Sequence, residues 1–571
     1  MMRMITIRTL CSNLAGRVAS AGTVVHCLLI LAIGIAIYAN TFNVPFLLDG
    51  VPCIAENPAI GTYFDASIPD EQRYVGVEPD IINSMHLRPL AYLTFALNYR
   101  VHGLNVAGYH YVNLVIHLAA ALVVYALVGA LLATPFLSDQ RENTSTGKLL
   151  PLIIALLFVC HPIQTAAVTY IVQRFASLAT LLSLLSLLMY LHARVSGQGN
   201  VRAATFIAGS TLFSILGMYT KESVFTLPVL IVICEVLFLK GAWGTRVKFL
   251  APLICTMLIV PLNMISLTGA SNGVNETLQN TTNLSNLTNV SRWDFFCTQN
   301  RVMLTYLRLL ILPINQHLDY DYPRYHSLLA PPVLASALFL TGIVACGIRA
   351  GIRSRLNTPG SWPLRLFAFG VAWFFITIAP SSSIIPLDDM IFEYHLYLPS
   401  FGFFLAVTAI AILTLQKLDA RRITTHVWPL AGVALTVLAL SLATISRNYV
   451  CGTAVRFWED NVAKAPGKSR PHHNLGSAYR DEFRFSDAIE QNMQAITLEP
   501  DRPFNYLSWN NIAICLTNLK RENEAMAAYE EALKLRPAEY QMRIRYAMLL
   551  TKAGRISESR EQRRIARELQ Q

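Results

Sequence analysis

Long apolar runs separated by short polar or basic segments constrain this chain more than any other feature. They fall at about 23–39, 110–133, 149–165, 176–193, 204–219, 223–239, 248–267, 330–349, 364–383, 399–416 and 427–446. A bilayer-spanning helix needs about 20 apolar residues, and most of these runs come close to that length. The 571 residues are 54% hydrophobic and 14% charged, against about 25% charged in an average soluble domain. The pattern predicts an all-α fold: a polytopic helical membrane domain of about eleven transmembrane helices over 23–446.

The formal net charge of +11 does not point to nucleic acid, because the basic residues form no single patch. They sit in alternate short loops. Arg3, Arg8 and Arg17 precede the first run, in a cytoplasmic N-terminus at 1–22. Arg141 and Lys148, Arg194 and Arg202, Lys240 and Arg246, Arg349 to Arg365, and Lys417 to Arg422 follow at every second loop. Basic loops face the cytoplasm. The first run follows arginines as a signal sequence does, but it lacks a clean cleavage site and reads as an uncleaved helix. The segment "RVMLTYLRLLILPI" (301–314) carries two arginines and a proline. It reads as a helix at the outer interface, because counting it as a span would turn the basic 349–365 loop outward. The longer outer segments are then 40–109, 268–329, 384–398 and everything after about 447. Rigid scaffolds present function on such loops.

Cysteine usage gives no zinc spacing and no disulfide framework. Cys53 and Cys297 share the outer side, which allows a bridge without establishing one. The stretch "SNGVNETLQNTTNLSNLTNVS" holds N-x-[ST] triplets at Asn275, Asn280, Asn283, Asn286 and Asn289. It reads either as a glycosylated loop or as a polar insertion that generates such triplets by composition.

The period changes after the last apolar run. Leu475, Gly476, Tyr479, Ala488, Ala495 and Pro500 have tetratricopeptide offsets. Ile512, Ala513, Leu516, Ala525, Tyr529, Ala532 and Pro537 repeat them, as do Tyr546, Ala547, Leu550, Gly554, Ser559 and Ala566. The repeat steps predict an α-solenoid of three units over 447–571. Small residues let paired helices approach closely, and the prolines stop the second helix. Such a stack is either a bare structural element or a concave surface that holds a protein segment.

Ionisable groups in or beside lipid are costly and mark functional sites. On the outer side they are Asp49, Arg88, His110, His117, His161, Arg174, Lys221, Glu222, Asp319, Asp321, Asp388, Asp389, Glu393 and His395. His110, Asn113 and His117 share one helix face. They suit a helix–helix hydrogen-bond cluster better than a metal site, since no acid shares that face. The remaining ionic groups have a structural reading as internal ion pairs or snorkelling side chains. Arg88, Arg174 and Lys221 are cations at the outer ends of separate spans. If they converge, they form a site for a phosphate headgroup.

The runs "FLLDG", "RPLAYLTFALNYRVHGLNVAGYHYVNLVIHLAAALVVY", "HPIQTAAVTYIVQR", "TKESVFTLP", "LTYLRLLILPINQHLDYDYP" and "SSSIIPLDDMIFEYHLYLPSFGF" resemble, in this order, the transmembrane-and-tetratricopeptide-repeat proteins. The resemblance covers nearly the whole chain. It implies a GT-C-like glycosyltransferase that takes a sugar, such as mannose, from a polyprenyl or dolichyl phosphate outside the cytoplasm. The acceptor would be a protein hydroxyl, with the repeat domain binding the acceptor protein. The family's first-loop acidic pair falls on Asp49 and Gly50, so only Asp49 is kept. Its later motif falls on "EYHLYLP", keeping Glu393 and placing His395 near the usual arginine.

The resemblance thus casts Asp49 as acceptor-activating base, with a pKa raised by apolar neighbours. Arg88, Arg174 and Lys221 would meet the leaving phosphate, in a single inverting displacement. Glu222, His110, His161, Asp319, Asp321, Asp388, Asp389, Glu393 and His395 would either contact sugar or acceptor or give structural support. The sequence establishes no cofactor: Asp388, Asp389 and Glu393 either orient sugar hydroxyls or hold a divalent Mg²⁺ or Mn²⁺. The compartment is either a bacterial inner membrane with the repeats in the periplasm, or the endoplasmic reticulum with the repeats in the lumen. Two competing classes are a membrane-anchored repeat scaffold, which has no need of outer acids and cations, and a lipid-linked sugar flippase, which needs charges deeper in the spans.

Overall fold

The computed structural model describes residues 22–138, 145–196, 200–267, 290–356, 358, 360–383, 386–387, 389–420 and 427–569. The asparagines of all five N-x-[ST] triplets, Asp388 and the N-terminal arginines lie outside the described residues. Helices of nine residues or more are numbered α1 to α22. The chain divides into two units.

The first unit holds α1 (Thr23–Tyr38), α2 (Pro79–Leu87), α3 (Pro89–His102), α4 (Val106–Leu132), α5 (Ser145–Cys160), α6 (Arg174–Ser196), α7 (Val201–Met218) and α8 (Leu227–Phe238). It continues with α9 (Trp243–Thr256), α10 (Ile259–Leu267), α11 (Arg292–Ile311), α12 (Pro331–Ser354), α13 (Trp362–Ile378), α14 (Tyr397–Ala420) and α15 (Val427–Cys451). The chain is an integral membrane protein, but it does not make eleven full spans among the described residues. Eight helical segments are long and apolar enough to cross a bilayer. A ninth arises if 147–160 and 162–168, bent by 52°, form one span. The bend has a local cause. Pro162 follows His161, whose Nδ1 accepts from the Ile163 N–H at 3.1 Å, so the helix ends and restarts there. Of the other expected spans, α1 has 16 residues and α8 only 12. The run at 223–239 is shortened because its first residues form a separate tight turn over Glu222–Thr226. The helix α11 contains Arg292, Asp294, Arg301 and Arg308, and does not qualify as a span.

In the bundle α6 packs on α4 and α7, and α13 packs on α12 and α14. Helix association in lipid relies on close packing rather than hydrophobic drive. The α13–α14 contact shows this directly: a Cβ at Gly370 would lie 2.5 Å from the Gly402 carbonyl oxygen, so the two backbones touch there.

At one end of the bundle lies a network that the apolar pattern conceals. Glu235, wholly buried in "LPVLIVICEVLF", accepts from Arg194 Nη2 at 2.7 Å and from Tyr190 Oη at 2.7 Å. Arg246 lies 3.5 Å from it. Two arginines that read as loop charges are therefore also partners of a buried acid. Arg194 lies 20 positions after Arg174 on α6, about 30 Å along the helix axis.

The second unit takes 450–571 together with 317–322. Its helices are α16 (Ala454–Lys464), α17 (Ser469–Asp481), α18 (Phe485–Leu498), α19 (Asn505–Asn518), α20 (Glu522–Leu535), α21 (Tyr540–Lys552) and α22 (Ile556–Glu568). The helices α17/α18, α19/α20 and α21/α22 pack as consecutive pairs. Ile512, Ala513, Leu516, Ala525, Tyr529, Ala532, Tyr546 and Leu550 form one buried cluster. The 317–322 segment, read from sequence as part of an outer membrane-domain loop, packs into this unit. Asn461 Oδ1 accepts from the Leu318 and Asp319 N–H groups at 3.0 and 3.1 Å. The Asp319 carboxylate is buried against Lys468 and Arg470.

Candidate active site

Asp49 lies eleven residues past the end of α1, at the start of one wide helical turn over Val51–Ala55. The preceding Leu48 has φ +40°, a left-handed conformation that branched side chains rarely adopt. The Asp49 N–H donates to Tyr170 Oη at 3.0 Å, and the Tyr170 hydroxyl also interacts with the Asp49 carboxylate. Tyr170 is buried. Burial and the neighbouring Asp49 hold its phenol well above the usual range, so it stays a neutral donor. Asp49 itself is exposed. Its apolar neighbours "FLL" therefore do not desolvate it as the sequence predicts.

Gly50, the position on which the resemblance places a second acid, has helical backbone angles of φ −64° and ψ −26°. A Cβ there would meet Phe46 at 3.7 Å, an ordinary contact. Neither backbone nor packing demands glycine. Gly50→Ala is expected to raise stability by about 0.4–1 kcal/mol through the unfolded chain. Thermal melts in detergent check this, and a lower melting point would show a constraint that these contacts do not include.

The residues facing Asp49 come from distant segments. Arg88, at the α2–α3 junction, donates from Nε to Glu222 Oε1 at 2.8 Å and from Nη2 to Glu222 Oε2 at 3.1 Å, and rests 5.1 Å from the Phe175 ring centroid. Burial works against the charged form of Glu222, but Arg88 and Lys221 outweigh it and hold the carboxyl below its usual range. Lys221 is half-buried, and its Nζ lies 5.1 Å from the Tyr394 ring centroid. Among the described residues its ammonium has no hydrogen-bond or ion-pair partner. Burial pushes it down to about 8, helped by Arg88 and opposed by Glu222. Tyr394 is the meeting point: it stacks on Phe392 at 4.9 Å, adjoins the His395 ring at 4.7 Å, and feels the charges of Asp49, Asp389 and Arg88.

The helix α11 holds the 389–396 segment in place. Gln299 Nε2 donates to the Met390 carbonyl at 2.7 Å. Tyr306 Oη accepts from the Phe392 N–H at 3.0 Å. Glu393 is buried and accepts from Gln316 Nε2 at 2.9 Å. The other face of α11 borders an apolar groove of about 1030 Å³. Leu304, Phe339, Phe374 and Val407, from α11, α12, α13 and α14, line it, with Arg301 and Arg308 at the α11 side. The Arg301 guanidinium has no hydrogen-bond or ion-pair partner among the described residues.

The structure places several predicted site residues elsewhere. Arg174 does not join Arg88 and Lys221. It is wholly buried, donating to Asn113 Oδ1 at 2.7 Å, to the Thr94 carbonyl at 3.1 Å and to the Tyr109 carbonyl at 3.2 Å, with its guanidinium over Phe95 at 4.6 Å. His110 bonds to the Val44 carbonyl at 2.8 Å, and His117 to Tyr397 Oη at 2.7 Å. His110 ties α4 to the coil after α1, and His117 ties α4 to α14. His161 Nε2 bonds to the Leu310 carbonyl at 3.1 Å. Asp319 and Asp321 lie in the second unit, Asp319 paired and Asp321 exposed beside Gly467. Cys53 and Cys297 carry free thiols. Among the described residues no group of three or more His, Cys, Asp and Glu is placed to hold a metal ion. Sequence reasoning missed Tyr170, Tyr306 and Tyr394. The available signal was their position inside or beside the quoted motifs.

A polytopic all-α membrane protein with a tetratricopeptide-like tail is thus in hand, and known proteins share that build. The tetratricopeptide repeat family matches residues 506–539, the α19–α20 pair. A protein O-mannosyl-transferase of Caenorhabditis elegans is 24% identical over 479 residues, covering 83% of this chain and 62% of its own length. Protein O-mannosyl-transferase Tmtc3 of Drosophila melanogaster is 25% identical over 79% of this chain and 52% of its own. TMTC3 of Mus musculus is 25% identical over 89% and 54%. The chain therefore matches the transmembrane-and-tetratricopeptide-repeat homologues over most of its length at low to moderate identity. It spans between about half and about three fifths of the length of these relatives.

Proposed function

We propose that this chain is a GT-C-type membrane glycosyltransferase. It moves a sugar, mannose by analogy with the relatives' names, from a polyprenyl-phosphate donor to a protein hydroxyl on the extracytoplasmic side. The observation that carries the reading is the Asp49–Tyr394–Lys221 constellation: an exposed carboxylate at one edge and, at the other, a half-buried ammonium with no ion-pair partner among the described residues. A bare scaffold has no use for such a pair.

In this mechanism Asp49 takes the proton of the acceptor hydroxyl as its oxygen attacks the anomeric carbon. The bond from that carbon to the phosphate oxygen breaks, and polyprenyl phosphate leaves with the electron pair. A single displacement inverts the anomeric centre. Lys221, steadied by the Arg88–Glu222 pair, meets the phosphate charge. Tyr170 fixes Asp49 through its backbone. The groove between α11 and α14 suits the isoprenoid chain, and these two helices also hold and follow the segment that carries Tyr394. The C-terminal helix pairs act as a three-unit repeat stack that binds the acceptor protein. The basic loops support a reading in which Asp49 and the stack lie outside the cytoplasm, in a periplasm or an endoplasmic-reticulum lumen.

Purified protein with a panel of polyprenyl-phosphate sugars and total acceptor protein, read by mass spectrometry, tests the reading. Absence of a hexose adduct with every donor would sink it. The free-protein Lys221 value of about 8 adds a pH signature. The amine is charged below that pH and loses its charge above it, so donor affinity should fall as pH rises through about 8. Lys221→Arg should hold affinity flat to about pH 10. A wild-type donor KM that stays constant from pH 7 to 10 would remove Lys221 from the phosphate site.

A further inference from the structure

We propose that Asn448, on α15, is a positioning residue for the transfer: its side-chain amide clamps together the two chain segments whose contact fixes Asp49. The inference rests on the reading of Asp49 as the acceptor-activating base. One segment leaves α1 and runs to Asp49. The other is the turn at 168–171 that carries Tyr170. They meet in the bond from the Asp49 N–H to Tyr170 Oη at 3.0 Å. Asn448 holds both. Its Nδ2 donates to the Ile37 carbonyl, in the last turn of α1, at 3.1 Å, and its Oδ1 accepts from Thr169 Oγ1, beside Tyr170, at 2.7 Å.

The character of α15 supports this role. Leu435, Leu438 and Leu442 are exposed, whereas Thr444 and Asn448, about one turn apart, are wholly buried. A polar side chain in a span is costly unless its groups are bonded. Both ends of the Asn448 amide are bonded, to residues 411 and 279 positions away. The same end of α15 is pinned twice more: Thr444 Oγ1 donates to the Cys160 carbonyl at 2.6 Å, and Asn40 Nδ2 donates to the Ile445 carbonyl at 3.1 Å. An amide is one planar group that donates at one edge and accepts at the other, so it sets the spacing of its two partners. The Tyr170 turn is also ordered against α4, because Asn113 Nδ2 donates to the Val168 and Ile171 carbonyls at 3.1 and 3.2 Å. Asn448 adds the tie from that turn to the end of α1. Loss of the tie lets Asp49 shift relative to the acceptor hydroxyl, and a misplacement of about 1 Å costs up to about 10²-fold in rate.

Thr169→Val tests the clamp, since it removes one hydroxyl at nearly constant volume. In the full chain in detergent, kcat for transfer is expected to fall about tenfold while donor KM stays within about twofold of wild type. Thr169→Ser keeps the hydroxyl and should rescue kcat. Asn448→Leu should lose at least as much, and adding Thr169→Val to it should cost little more, because both changes break one clamp. A second readout needs no donor. Hydrogen–deuterium exchange should show a loss of protection at the Asp49 amide in Thr169→Val, with protection around Gly370 and Gly402 unchanged. An Asp49 amide as protected as in wild type, or a kcat that falls only with the folded fraction measured by thermal melts, would overturn the clamp. Wild-type turnover in Asp49→Asn would remove the base and this role with it. An inactive Asp49→Asn beside an unaffected Thr169→Val would overturn the clamp alone.

Discussion

Asp49→Asn is expected to cut sugar transfer by about 10²- to 10⁴-fold, the usual contribution of a general base, while donor KM and melting temperature stay close to wild type. The change is isosteric and the side chain is exposed, so little packing is at risk. The Asp49 N–H bond to Tyr170 comes from the backbone and survives the substitution. Steady-state transfer to an acceptor peptide with a fixed donor gives the answer. Wild-type turnover in the variant would take Asp49 out of the reaction. Because Gly50 has helical angles and room for a Cβ, the companion variant Gly50→Asp can report whether a carboxylate one position later substitutes for the lost one.

Arg174→Ala is expected to damage the fold rather than the donor site. The arginine's removal strips donors from the Asn113 side-chain carbonyl and from the Thr94 and Tyr109 backbone carbonyls. The buried Asn113 oxygen loses its donor, at a cost of about 1–3 kcal/mol, while the Thr94 and Tyr109 carbonyls lie within α3 and α4 and lose a second bond. The guanidinium also fills space over the Phe95 ring. A loss of about 3 kcal/mol or more is expected, seen as a large drop in the melting point and in the yield of monodisperse protein. Donor KM for the surviving folded fraction should match wild type. A raised KM with an unchanged melting point would return Arg174 to the phosphate site and overturn its structural assignment.

The contrast between Arg88 and Arg174 shows what is legible in a sequence of this kind. Both are lone arginines beside apolar runs, and both read as headgroup binders. Sequence reports the cost of burying a cation, but not what meets that cost. For Arg174 the answer is three carbonyl oxygens and an aromatic ring; for Arg88 it is the carboxylate of Glu222. The histidines divide on the same principle. His110 and His117 share a helix face, as their spacing requires, and the structure engages them with Val44 and Tyr397.

The sequence by itself determined that the chain is helical, crosses a membrane repeatedly and ends in a helical tail. These follow from local apolar runs and repeat offsets, which act within one or two helices. It also singled out Asp49, Lys221 and the "EYHLYLP" segment. Only the tertiary structure decided which of the charged groups meet. It brought Lys221 and Tyr394 within 5.1 Å, sent Asp319 into the second unit, and shortened the 223–239 run to a 12-residue helix. The first two outcomes depend on contacts between residues more than a hundred positions apart, where packing and hydrogen-bond satisfaction choose among arrangements that local pattern leaves equivalent; the third is a local turn that the apolar pattern does not report.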